Sequence, residues 1–74
     1  MKNVLEVIPA EIGKLVHLRE LKIDGNRLSR LPLVLNEMPA LRTLICEDHL
    51  METLDPQMEK WRMEAQGIYK KLAE

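Results

Sequence analysis

Residues 54–74 read LDPQMEKWRMEAQGIYKKLAE, and how this stretch folds decides what kind of protein the chain is. Asp55 is a good helix N-cap, and Pro56 suits a first helical position. Met58, Trp61, Ala65, Ile68 and Leu72 follow at spacings of 3, 4, 3 and 4, an apolar stripe on one helix face. Lys70 and Lys71 stand where cations complement a helix dipole. Gly67 weakens the middle by about 1 kcal/mol relative to Ala and is a place for a bend. The spacing predicts a helix over 56–74 that covers the preceding chain with one face and meets water with the other.

Upstream, a period of 23 residues aligns most apolar positions. Leu18, Leu21, Ile23, Asn26, Leu28, Leu31, Leu35 and Met38 make one cycle. The next is Leu41, Leu44, Cys46, His49, Met51, Leu54, Met58 and Trp61; Asn3, Leu5, Ile8, Ile12 and Leu15 make a partial earlier one. Only the Asn position breaks, at His49. In LRELKID (18–24), Leu21 and Ile23 alternate with Glu20, Lys22 and Asp24, a half-buried strand. TLICE (43–47) repeats the pattern, with Leu44 and Cys46 inward and Thr43, Ile45 and Glu47 outward. Ile12 and Leu15, like Leu35 and Met38, stand one helical turn apart. Pro9 and Pro32 suit the start of such turns, and Pro39 disfavours helix at Met38.

LRELKIDGNRL (18–28) and LRTLICEDHLM (41–51) resemble the leucine-rich repeat family, whose signature is L-x-x-L-x-L-x-x-N/C-x-L. The period of 23 and the steps IP (8–9) and LP (31–32) resemble the intracellular class found in Ras-pathway and cell-polarity scaffolds. The resemblance implies an α/β fold: a short solenoid of about two and a half repeats with a parallel two-stranded sheet. Repeats would fill residues 1–55, the first truncated on its N-terminal side, and a capping helix would fill 56–74. Asn26 would bond backbone groups of its turn and of the neighbouring repeat, with Gly25 easing the bend. His49, larger than Asn, would make the last turn irregular. The implied function is a non-catalytic protein-binding module inside the cell, in the cytoplasm, at the C-terminal end of a longer scaffold. Partner contacts would fall on Glu20, Lys22, Asp24, Thr43, Ile45 and Glu47. Ile45, the only apolar residue there, reads either as a strand former or as a contact residue.

Composition narrows the alternatives. Seventy-four residues make one small domain near its stability limit. With 11 basic and 12 acidic residues the formal net charge is -1, no electrostatic case for nucleic acid or an anionic membrane. Cys46 is the only cysteine, which excludes an internal disulfide and favours a reducing compartment. No run approaches a membrane span, and no signal peptide is visible. Cys46 and His49 form a C-x-x-H pair, but a zinc site lacks a second Cys, and Cys46 falls on an inward position that reads as a core thiol. Glu47 is placed to orient His49; a solvated acidic strand end is the simpler reading. Ser29 is a turn residue, DGN (24–26) lacks the carboxylates of a calcium loop, and no Gly-rich phosphate loop is present. Neither catalytic residues nor a cofactor are expected. The strand around Leu21 is expected to be an open edge that invites a preceding repeat, another copy or a neighbouring chain. A second functional reading is a small structural subunit of an assembly, anchored by the amphipathic helix at 56–74.

Overall fold

In the computed structural model, residues 6–73 are described, so Asn3 and Leu5 lie outside the described residues. The alternating stretches form strands β1 (Glu20–Lys22) and β2 (Thr43–Ile45). They pair in parallel, Leu21 opposite Leu44, each residue facing the one 23 positions on. Pro9 and Pro32, both extended, introduce the 3-10 turns Ala10–Lys14 and Leu33–Asn36.

The rest departs from expectation. Helix α1 (Asp48–Leu54) fills the segment expected to be an irregular turn. His49 is exposed on it, while Leu50, Met51 and Leu54 are buried. The expected helix over 56–74 is absent. Strands β3 (Trp61–Ala65) and β4 (Ile68–Lys71) form a hairpin there, and β4 pairs antiparallel with β2. The result is a four-stranded mixed sheet in the order β1-β2-β4-β3. The chain is therefore not a solenoid with a capping helix, and the reading of an anchoring C-terminal helix falls with it.

The reason is which residues bury. Of the helical stripe, only Trp61 is enclosed; Met58 and Leu72 are exposed. Tyr69, off that stripe, is buried opposite Leu44. Gln66 and Gly67 link β3 to β4, and Gly67 takes φ 78, a left-handed conformation costly for other residues. Trp61, Ile68 and Tyr69 are strand formers. A bulge between Met63 and Ala65 absorbs the odd residue beside this turn.

Asp55 keeps its structural weight in a different role. It ends α1 and is buried, and its carboxylate collects the next turn. Oδ1 accepts the Glu59 N–H at 3.0 Å; Oδ2 accepts those of Lys60 and Trp61, both at 2.9 Å. Burial pushes this carboxyl upward, but the three donors outweigh it and hold it below its usual range. Trp61, delivered to the start of β3, donates Nε1–H to Asn36 Oδ1 at 2.7 Å, and Asn36 Nδ2 donates to the Leu54 carbonyl at 3.0 Å. Lys71 Nζ lies 5.1 Å from the Trp61 ring centre and donates to the carbonyls of Leu35 and Met38. Sheet, 3-10 turn and helix end thus meet at one indole.

Asp55→Ala should destabilise the chain by about 2–3 kcal/mol in urea unfolding near neutral pH, because it leaves three backbone donors unpaired. A folded-state carboxyl held low contributes stability above the unfolded value of about 3.9, and that contribution is lost as pH falls through the lowered folded value. The stability gap between wild type and Asp55→Ala should therefore shrink on acidification. A gap independent of pH would count against the charged clamp.

Candidate functional site

One face of the sheet is set by the pleat. Glu20 and Lys22 of β1 lie in register with Thr43 and Ile45 of β2, and these with Lys70 and Ile68 of β4. Arg62 of β3 stands opposite Lys70. Three of these seven, Arg62, Ile68 and Lys70, lie outside the expected contact set, because the hairpin was read as helix. The alternation of Trp61 and Met63 with Arg62, followed by Gln66-Gly67, was the available signal.

The expected contact residues do share this side, but not equally. Glu20, Lys22 and Asp24 are exposed. Thr43 is only 8% exposed, and its hydroxyl accepts Lys70 Nζ–H at 2.9 Å, so the new strand covers it. Ile45 is half-buried against its cross-strand partner Ile68, which accounts for an apolar residue in a polar row. Glu47 Oε2 accepts the Gly25 N–H at 2.9 Å, a bond that lowers its carboxyl below the usual range. Its other oxygen, Oε1, is enclosed without a hydrogen-bond partner. Lys70 and Arg62 add positive charge to a face that reads as acidic from β1 and β2 alone.

At the C-terminal ends of β1 and β2, Asp24, Cys46, Glu47, Asp48 and Gly67 line a recess of about 360 Å³. Cys46 is enclosed there, and its thiol is held in the protonated form, a poor nucleophile. Burial first, then the charges of Glu47, Asp48 and Asp24, push its thiol up to about 12. Asp48 also accepts the Tyr69 hydroxyl at Oδ1, at 2.5 Å; burial and that bond raise the phenol well above its ordinary value. Among the described residues no group of three or more His, Cys, Asp or Glu is arranged to hold a metal ion. Asn26 donates Nδ2–H to the Ile23 carbonyl at 2.9 Å, within its own turn.

The open side of β1 is the other candidate surface. Ile12, Leu18 and Leu21 are half-buried, while the residues 23 positions on, Leu35, Leu41 and Leu44, are fully enclosed. Leu15 is 53% exposed against 3% for Met38. Val16 is exposed beside Leu15, and Val7 and Leu33 are exposed as well. Equivalent positions differ in burial where, among the described residues, β2 has a strand on each side and β1 on only one. Neither family models, nor characterised proteins, nor solved structures give a match to the chain. Among the described residues no helix is long and apolar enough to cross a membrane.

In the folded chain Cys46 should react slowly with a thiol-specific disulfide reagent at about pH 8 and rapidly once denaturant is added. Fast native-state reaction would place the thiol nearer the surface than its neighbours allow.

Proposed function

We propose that the chain is a non-catalytic protein-binding module that works through the open edge of β1 and the apolar flank beside it. The observation that carries this is the contrast between Leu15 and Met38, and between Leu21 and Leu44. Apolar positions that are enclosed on β2's side are half-buried at Leu21 and exposed at Leu15 on β1's. An edge strand offers its unpaired N–H and C=O groups to an incoming strand, and adjacent apolar side chains add affinity. The likeness of 18–28 and 41–51 to the leucine-rich repeat signature belongs to this reading and supports a protein ligand. A catalytic reading draws no support from Cys46, whose side chain is enclosed and whose ionisation burial opposes.

A photoreactive benzophenone side chain at Leu15 tests the surface in cells. Irradiation should give a discrete adduct from Leu15 and none from Glu52, an exposed position on α1 away from β1. No adduct from Leu15, or equal capture at both positions, would remove the β1 flank as a binding surface.

A further inference from the structure

We propose that the occupant of the β1 edge is a second copy of this chain, paired antiparallel about Leu21. This rests on the reading that the edge is a binding surface and names what binds there.

Backbone parity comes first. Ile23 N–H donates to the Ile45 carbonyl, and the Arg19 carbonyl accepts from Arg42 and Thr43. Odd-numbered residues of β1 therefore turn their backbone groups toward β2. Those of Glu20 and Lys22 turn the other way, toward the open side. In an antiparallel pair, two residues that both face the partner exchange N–H and C=O bonds, and the residues between them stand opposite without bonding. Centring the pair on Leu21 satisfies this: Glu20 bonds Lys22 of the second copy, Lys22 bonds its Glu20, and Leu21 faces Leu21.

Charge selects the same register. Glu20 and Lys22 are exposed and lie on one sheet face. Centred on Leu21, each Glu20 stands opposite a Lys22, giving two opposite-charge pairs. The neighbouring registers with the same parity put Glu20 opposite Glu20, or Lys22 opposite Lys22, which is unfavourable.

The apolar flank agrees. An antiparallel pair made from the same edge of both copies has its two-fold axis normal to the sheet. The inner faces then stay on one side, so Leu21 meets Leu21 at the axis and the apolar flanks of both copies, with Leu18 and Leu15, lie on the same face of the joined sheet. A parallel pair through the same edge would turn one copy over and place the two flanks on opposite faces. The joined sheet would have eight strands in the order β3-β4-β2-β1-β1-β2-β4-β3.

Sedimentation equilibrium with charge-reversed variants tests this. Wild type should show a concentration-dependent monomer–dimer equilibrium. E20K and K22E should each weaken it at least about tenfold, since two attractive pairs become two repulsive ones. An equimolar mixture of E20K and K22E should form the dimer again, and so should the double variant E20K/K22E. Circular dichroism checks that each variant keeps the fold, as exposed positions allow. Wild type that stays monomeric up to about 1 mM overturns the proposal. So do single variants that associate as well as wild type, or a mixture that fails to associate. A monomeric wild type whose Leu15 adduct contains a different protein would overturn self-pairing and leave the binding surface standing. A monomer with no adduct would remove both.

Discussion

Pairing of β4 with β2 sets Tyr69 opposite Leu44 and closes the side of β2 that faces away from β1. Without it Leu44 and Cys46, now 0% and 1% exposed, would lie along an open edge. Two polar devices hold the hairpin in position. The Asp55 carboxylate gathers three backbone donors and aims the chain into β3. Lys71 secures the far end by bonding the carbonyls of Leu35 and Met38 beneath the Trp61 ring. The 3-10 turn at Leu33–Asn36 is thereby tied to the helix end, to Trp61 of β3 and to Lys71 of β4.

The first half of the chain was more legible than the second, for a physical reason. Short alternating strands declare their inward residues locally, and Leu21, Ile23, Leu44 and Cys46 can be read from the pleat alone. The two turns after Pro9 and Pro32 are announced by proline and by apolar pairs three apart. In 61–72 both periods are present. Trp61, Ala65, Ile68 and Leu72 satisfy a helix; Trp61, Met63, Tyr69 and Lys71 satisfy a hairpin around Gly67. Local propensity does not separate them. What does is the open side of β2, a long-range partner that periodicity cannot reveal. Asp55-Pro56 was misread for a related cause: an acceptor for three N–H groups serves a tight turn as well as a helix start. At 48–54, alignment on the 23-residue period placed His49 in a turn and hid the helical placement of Leu50, Met51 and Leu54.

The same hairpin explains why the candidate surface was only half visible. Glu20, Lys22 and Asp24 are as exposed as alternation implies, but Thr43 and Ile45 acquire in-fold partners in Lys70 and Ile68. They lie in register with Glu20 and Lys22, and two more strands joining the sheet left them less available than those two. What stays unsatisfied is the edge itself, where no strand lies beyond β1 among the described residues. Leu15 and Val16, in the segment that leads into β1, expose apolar surface as well, and small domains ordinarily avoid combining an open edge with exposed apolar side chains.

The Asp55 clamp also bears on the order in which the sheet assembles. Its bonds span four to six residues, and the hairpin it launches closes through a turn of two. Both are short-range closures of the kind that form within microseconds. Joining β1 to β2 requires closing 23 residues, and joining β4 to β2 spans a similar distance. The hairpin can therefore form first and wait for β2, whose two pairings close over similar lengths. Until both are made, β2 exposes an edge, and the sheet is open to the wrong strand for as long as its slowest pairing takes.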